Sequence, residues 1–301
     1  MLRSRISWVL ASLALVGVCL AAPLSNASES VEGESTSRPT NPTRKLALVA
    51  SDKQAVPGWL RESEPESATS EDTDWRKTTD AVVLLHMFRS DHSAWEPILA
   101  KFQEQGITTL AIDMRGHGEN LTGPKGEDLG AKIKNRDEDT FRAMHRDANA
   151  AIDWLVDNGY DASRIGLLGA SVGCSVAIDT AVRREGLGPV GVLTPGLSYL
   201  GVDSEKHIES WGKRDLLIVT SEEESLDGPA PLRAALKMQW EARQAKSPGA
   251  KDRVDYWVLQ GKNIHGTRMF GAVKGIEGRI ATWFGERFGA NSKATSRPSK
   301  R

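Results

Sequence analysis

The sequence predicts an α/β fold in which a mostly parallel central sheet carries helices on both faces. Two observations lead to this prediction. Short runs of apolar, often β-branched residues alternate along the chain with longer segments of helical periodicity. These short runs are apolar throughout rather than at every second position, which is typical of strands buried on both faces. The alternation therefore favours parallel strands joined by crossover helices.

Seven runs are candidate strands, and five segments are candidate helices. In chain order, the strands are LALVA, AVVLLH, ITTLAID, RIGLLG, VGVLT, DLLIVT and VDYWVL. The helices are predicted at Ala94–Gln105, Thr140–Asn158, Val172–Arg184, Pro231–Ala245 and Ala272–Phe288. In the second helix the apolar residues recur at helical spacing, which indicates a buried stripe.

Composition limits the classes of protein to consider. The chain has 301 residues, of which 39% are hydrophobic and 26% charged, enough to bury one sizeable core. Its 39 Lys and Arg nearly balance 40 Asp and Glu, giving a formal net charge of -1. This balance argues against nucleic acid as a partner. The two cysteines are Cys19 and Cys174, so a chain cleaved after Cys19 has no internal disulfide.

The first 24 residues predict a secretory signal peptide. A basic start, MLRSR, precedes the apolar ISWVLASLALVGVCLAA and its small residues. We therefore expect an exported protein, periplasmic or extracellular. One alternative is an uncleaved anchor, because the apolar run is near the lower length limit for a membrane span. Another is a lipidated Cys19, although Val18 departs from the small residue that precedes the cysteine in lipoprotein signals.

Three segments are too polar to predict a packed structure. Residues 25–44 predict a flexible linker, residues 62–80 an exposed loop between early strands, and residues 290–301 a disordered tail. Large apolar side chains are scarce in all three, so little surface is available for burial. The globular domain is therefore placed at residues 45–289.

Ser171 stands between two glycines in GASVG, which matches G-x-S-x-G between an apolar strand and a helix. In that setting a sharp turn exposes the serine hydroxyl above the sheet edge, and the flanking glycines avoid steric clashes. The N-terminus of the following helix favours the negative charge that develops in acyl transfer. A glycine-rich turn that merely contains serine is the alternative, but the strand and the helix favour a nucleophile.

A nucleophilic serine needs a base and an acid, and at such a turn the acid and then the histidine follow the serine in the chain. His265 stands in a glycine-flanked loop after the last predicted strand. The acid is expected after DLLIVT, within SEEES, and Glu224 has the usual offset from the strand. Glu223 is the alternative. Two more distant candidates are Asp203 and Asp227.

An oxyanion requires two N–H donors that are already in place. We expect one from Val172, next to the serine, and one from Met87, in the loop after AVVLLH. His86 is interpreted as a structural hydrogen-bonding residue. His117, in DMRGHGEN, is interpreted in the same way, with a position near the pocket mouth as the alternative.

These stretches together resemble the α/β-hydrolase superfamily, and more narrowly its small, capless, dienelactone-hydrolase-like serine esterase branch. The resemblance covers residues 45–289 and rests on VVLLHMFRSDHSAW, LAIDMRGHGEN, RIGLLGASVG, LTPGLSYLGV, LLIVTSEEES and IHGTRMF. It implies Ser171 as nucleophile, His265 as general base and Glu224 as acid, with no metal or organic cofactor. The family's acid is usually aspartate. Dienelactone hydrolases themselves use a cysteine nucleophile, so their particular reaction is not implied.

The interval between VGVLT and DLLIVT is too short for a large cap domain. We therefore expect an open pocket for short or medium acyl esters. We expect it to be shaped by the run TPGLSYLGV, which includes Leu197 and Tyr199, and by Met87, Phe88 and Trp95. The sequence favours an exported carboxylesterase acting on a small ester. Peptidase or acyltransferase activity at the same residues and a degenerate binding protein of the cell envelope are the alternatives.

Overall fold

The computed structural model describes residues 41–65, 74–247, 249 and 252–295, with side chains described as far as residue 289. The predicted signal segment, 1–24, and most of the predicted linker lie outside these ranges. Ten strands are described: β1 Arg44–Val49, β2 Ala55–Arg61, β3 Asp80–Leu85, β4 Ile107–Ile112, β5 Ile165–Ala170, β6 Val190–Leu193, β7 Ser198–Tyr199, β8 Val202–Asp203, β9 Leu216–Ser221 and β10 Val254–Leu259.

Eight strands form one sheet in the order β1-β2-β4-β3-β5-β6-β9-β10. Within it, β2 is antiparallel to both of its neighbours, and all other adjacent pairs are parallel. Parallel strands of one sheet end at the same edge, so the loops after β3, β5, β6, β9 and β10 meet there. That edge is where ligands bind in open α/β sheets.

Helices cover both faces of this sheet, and the side chains of the strands alternate between them. In β3, Val83 and Leu85 face one core, whereas Val82 and Leu84 face the other. The strand is apolar throughout because both of its faces are buried. The helices are α1 Glu96–Glu104, α2 Leu129–Lys134, α3 Glu138–Arg142, α4 Met144–Asp157, α5 Val172–Arg183, α6 Ser204–Ile208, α7 Pro229–Lys246 and α8 Ile276–Thr295.

The predicted fold class is confirmed, including the lack of a large cap. Between β6 and β9 the chain forms the two-stranded β7–β8 hairpin and the short helix α6. Asp203 accepts a hydrogen bond from the Lys206 backbone N–H at 3.0 Å, which caps α6. Within the described ranges, no helix has the length and apolarity needed to cross a membrane.

Strand β2 was not predicted, because Pro57 and Gly58 disfavour a strand. In the structure, the β2–β4 register stops at Gly58, so proline's missing N–H does not interrupt that ladder. Gly58 fits because a Cβ there would lie 3.1 Å from side-chain atoms of Leu48 and Leu110. Tertiary pairing has outweighed the local preference of these residues.

The predicted polar boundaries also need correction. The Asn41 side chain donates to the Glu62 carbonyl at 3.0 Å, so the end of the linker contacts the domain. Ser63 and Thr79, at the ends of the predicted exposed loop, are buried. At the other end of the chain, α8 continues through Thr295, because Ala290, Lys293 and Ala294 are good helix formers.

The helix predicted at Thr140–Asn158 is divided in the structure. Asp137 caps a short helix, α3, by accepting a hydrogen bond from the Thr140 N–H at 2.9 Å. A second helix, α4, begins at Met144 and carries the buried stripe that the sequence predicted. The apolar spacing thus located the core face, whereas the cap at Asp137 determined where helical structure begins.

Candidate active site

Ser171 occupies a strained turn between β5 and α5. Its φ is 52° and its ψ is -117°, which lie outside the allowed regions for most side chains. A Cβ added to Gly169 would come within 3.0 Å of the Gly173 carbonyl oxygen. One added to Gly173 would similarly clash with the Leu85 carbonyl oxygen. The two glycines are therefore required by backbone packing on both sides of the serine.

The turn is fixed by backbone hydrogen bonds to the neighbouring strand and to its own helix. The Ser171 N–H donates to the Leu193 carbonyl at 3.0 Å, and the Ser171 carbonyl accepts from the Cys174 N–H at 2.9 Å. Only 3% of Ser171 is exposed. Cys174 is fully buried, and burial raises the pKa of its thiol far above the ordinary value. That thiol is thus unsuited to act as a nucleophile.

The loop carrying His265 comes close to this turn. Its next residue, Gly266, has a φ of 55°, and a Cβ there would lie 3.8 Å from the Ser171 backbone nitrogen. The same position would be 3.5 Å from the Ala170 Cβ. Strands β5 and β10 are not adjacent in the sheet, so the loop after β10 reaches across to the serine turn.

Glu224 is the member of the glutamate cluster whose carboxylate contacts His265. Its Oε2 lies 2.9 Å from His265 Nδ1. Glu223 instead accepts from the Asn263 N–H at 3.2 Å, while Glu222 is exposed. An ionised carboxylate can only accept, so Nδ1 carries the proton and His265 Nε2 is left with a lone pair. That tautomer suits a general base.

The loop after β3 brings Met87 towards the serine turn. Gly173 packs directly against the Leu85 and His86 carbonyl oxygens. His86 is fully buried and fixes the loop, because its Nδ1 donates to the Met87 carbonyl at 2.9 Å and its Nε2 accepts from the Met114 N–H at 3.0 Å. Burial lowers the pKa of His86 to about 4, so its ring is neutral.

Val172 is the other predicted oxyanion donor. As the first residue of α5, it has no acceptor for its N–H within the helix. The helix macrodipole adds positive potential at this end. The structure thus places both predicted N–H groups in segments that adjoin Ser171.

A cavity of about 330 Å³ opens beside His265 and Glu224. Two of the predicted pocket residues, Leu197 and Tyr199, line it. Thr194, the first residue of the predicted TPGLSYLGV run, lines it as well, whereas Asp227, expected only as a distant candidate for the acid, was not predicted there.

Three predicted pocket residues, Met87, Phe88 and Trp95, do not line this cavity. Trp95 is fully buried and packs against Phe270 with ring centroids 5.9 Å apart, so it belongs to the core and does not line the cavity. Phe88 is half-buried, makes an edge-to-face contact with Phe141 at 5.9 Å and also does not line the cavity. Apolar burial under α1 explains the position of the tryptophan.

The DMRGHGEN segment mainly stabilises neighbouring loops through buried hydrogen bonds and ring packing. Asp113 is fully buried and accepts from the backbone N–H groups of His92 and Glu119, both at 2.8 Å. His117 is 3% exposed, and burial lowers its pKa to about 4. It lies against the ring of His86, with centroids 4.9 Å apart, and does not line the cavity.

One group of described side chains has the spacing of metal ligands. Asp91, His92 and Asp113 each offer an atom within 4.8 Å of the others. Asp113 is already bonded to two backbone N–H groups, and Asp91 accepts from both the N–H and the hydroxyl of Ser93. These bonds identify the cluster as a loop and helix-cap arrangement.

Residues 76–194 match the family model described as Serine aminopeptidase, S33 (Hydrolase_4). The matched segment includes β3, Met87 and Ser171 but ends before Glu224 and His265. Over 107 residues, the chain is 33% identical to a multifunctional-autoprocessing repeats-in-toxin protein of Vibrio vulnificus. That match covers 34% of this chain and only 2% of the toxin's length.

Solved structures resemble a larger part of the chain. An esterase of Pyrococcus furiosus has a TM-score of 0.59 at 16% identity, over 82% of this chain and 90% of the esterase. A puromycin-hydrolyzing peptidase of Mycobacterium tuberculosis has a TM-score of 0.59 at 14% identity, over 82% of this chain and 40% of the peptidase. At these identities the likeness establishes the fold.

Proposed function

Because the chain is a member of the α/β-hydrolase superfamily, we propose that it is an exported serine hydrolase, a carboxylesterase acting on short or medium acyl esters. The observation that carries this proposal is the 2.9 Å contact between His265 Nδ1 and Glu224 Oε2, on a loop that also packs against the Ser171 turn. This contact supports a site in which Ser171 is the nucleophile, His265 the base and Glu224 the orienting acid at one edge of the sheet.

The proposed chemistry begins when Ser171 Oγ attacks the ester carbonyl carbon and His265 Nε2 accepts the hydroxyl proton. The Val172 and Met87 N–H groups stabilise the resulting oxyanion. Collapse of this intermediate breaks the bond to the alcohol, which takes the proton from His265 and leaves an acyl-enzyme. Water then repeats the sequence, releasing the acid and restoring Ser171. Glu224 stabilises the imidazolium in both halves.

The short β6–β9 interval and the cavity of about 330 Å³ support small acyl groups. The test is hydrolysis of p-nitrophenyl esters from acetate to palmitate by the wild type, with Ser171→Ala as the blank. We expect turnover of the shorter esters that disappears in the variant. Preference for long-chain triglycerides, or equal turnover by both proteins, would contradict the proposal.

Export is proposed from residues 1–24 alone. Expression of the full chain in a bacterial host, followed by fractionation and N-terminal sequencing, tests it. We expect a shortened chain in the periplasm or medium. A full-length chain confined to the cytoplasm would count against export without bearing on the hydrolase chemistry.

Peptidase activity is the second candidate, and Asp227 favours it. This residue lines the cavity with His265, and no cation pairs with its carboxylate among the described residues. A carboxylate there could neutralise the free amine of a peptide substrate. Faster cleavage of amino-acid p-nitroanilides than of their N-acetylated forms, with the preference lost in Asp227→Asn, would support it. Cleavage of esters alone would exclude it.

A further inference from the structure

Thr194 adopts a backbone conformation that its side chain disfavours. It follows β6 directly, and its φ is 60°. For a β-branched residue this left-handed conformation is an outlier, whereas glycine adopts it readily. Thr194 is only 4% exposed, and its N–H donates to the Val219 carbonyl at 2.7 Å. Glycine would fit this backbone conformation better than threonine. The threonine therefore points to a role for its hydroxyl.

That hydroxyl holds the loop of the general base. Thr194 Oγ1 accepts a buried hydrogen bond from the Gly266 N–H at 3.1 Å. This N–H belongs to the peptide that joins His265 to Gly266, so the bond fixes the plane of that peptide. The neighbouring Met87 Sδ would lie 3.1 Å from a Cβ at Gly266, which leaves the segment little space to shift.

On the proposed hydrolase function, we infer that Thr194 is a positioning residue for His265. Two contacts then orient the histidine from different sides: Glu224 holds Nδ1 of the ring, and Thr194 holds the following peptide. Without the hydroxyl, the Gly266 N–H is left buried without this acceptor, and the contact with Glu224 alone orients the His265 ring. Misplacement of a catalytic group by about 1 Å can lower turnover about 100-fold.

The experiment compares Thr194→Val, Thr194→Gly and Thr194→Ser with the wild type. Valine keeps the shape and removes the acceptor, glycine removes the acceptor and suits the backbone, and serine keeps the hydroxyl. We expect Val and Gly to lower kcat on a short p-nitrophenyl ester by about 10–100-fold, with KM changed less than about threefold. Serine should restore kcat to within about threefold of wild type.

Thr109→Val is the matched control. Thr109 is 1% exposed in β4, and its hydroxyl has no hydrogen-bond partner among the described residues. This variant should keep the wild-type kcat. Wild-type kcat in a folded Thr194→Gly, a loss in Thr194→Ser equal to that in Thr194→Val, or an equal loss in Thr109→Val would each overturn the inference.

The rate at which a fluorophosphonate labels Ser171 separates this inference from the function on which it rests. Slow labelling of Thr194→Val and Thr194→Gly beside fast labelling of the wild type supports the positioning role. Equal labelling of all three overturns that role and leaves the hydrolase proposal standing. No labelling of the wild type overturns both.

Discussion

Ser171 and its partners are held in different ways. The serine lies on a turn whose shape is set by Gly169, Gly173 and the carbonyl of the adjoining β3, all of them buried. His265 and Glu224 lie on two half-exposed loops, 41 residues apart in the chain, and meet through a side-chain contact. The proposed nucleophile is thus fixed by backbone packing, whereas the proposed acid and base depend on a few hydrogen bonds.

This difference assigns different consequences to substitutions in the two regions. A change that disturbs the backbone packing of the serine turn, as at Gly169 or Gly173, should damage the fold and the activity together, because the same backbone atoms serve both. A change in the acid–base loops should lower activity with little loss of stability. Such loops are also the usual location of residues that adapt a fold to a new substrate.

The largest effect is expected from Ser171→Ala, which removes the proposed nucleophile without adding bulk. We expect kcat to fall by about four to six orders of magnitude, while the thermal unfolding midpoint stays near that of the wild type. Steady-state kinetics and calorimetry check this. Cys174→Ala is the control, since that buried thiol should contribute to packing alone; loss of activity there would question the assignment of the nucleophile.

Next is Glu224→Gln, which keeps the shape but removes the charge that orients His265. The expected loss in kcat is about 10³–10⁴-fold. Glu223→Gln, one residue away, removes only an exposed bond to the Asn263 N–H and should change kcat less than about threefold. The kinetics of the two variants decide between neighbouring glutamates. Equal losses would show that the cluster acts through its total charge.

Gly173→Ala tests the backbone side of the comparison. The added methyl would lie within 3.0 Å of the Leu85 carbonyl oxygen, so the turn must open or β3 must shift. We expect the free energy of unfolding to fall by about 3 kcal/mol or more, with activity lost as well. Urea unfolding measures the change in the free energy of unfolding. Gly278→Ala on α8 is the control: a Cβ there meets open space, so stability should rise by about 0.5–1 kcal/mol.

The buried His117, whose ring packs against His86 next to the Met87 loop, should make the free energy of unfolding depend on pH. His117 has a folded pKa of about 4 against an ordinary 6.5, so the unfolded chain binds its proton first as the pH falls. Stability is therefore lost between pH 6.5 and 4. From pH 7 to 5, the wild type should lose about 2 kcal/mol more than His117→Phe, in which Asp80 is unchanged and the neighbouring His86 keeps its hydrogen bonds to Met87 and Met114. Equal losses in urea unfolding would contradict this.

The serine turn could be predicted from sequence because its cause is local. Five consecutive residues contain the glycines that the turn requires, and the flanking apolar strand and helix are evident from periodicity. The fold class followed from the same patterns. Strand β2 could not be predicted in this way, since Pro57 and Gly58 oppose a strand locally and only pairing with β1 and β4 stabilises it.

The rest of the site depends on contacts that no local pattern reveals. Three consecutive glutamates have the same chemistry. Only the path of the loop after β10, which carries His265, determines which of them the histidine contacts. Trp95 illustrates the opposite problem: its position after β3 suggested the pocket, but burial under α1 outweighed that. The role proposed for Thr194 was not predicted, because it rests on a hydrogen bond to a residue 72 positions away.

The most direct test of this account is the intact mass of the folded protein after incubation with a fluorophosphonate, followed by peptide mapping. We predict one adduct per chain, located on Ser171 and absent from Ser171→Ala. Such an adduct requires a serine activated by its neighbours, as His265 and Glu224 would provide. A folded wild type that remains unlabelled, or an adduct that persists in Ser171→Ala, would contradict the central claim that Ser171 is the nucleophile of a hydrolase.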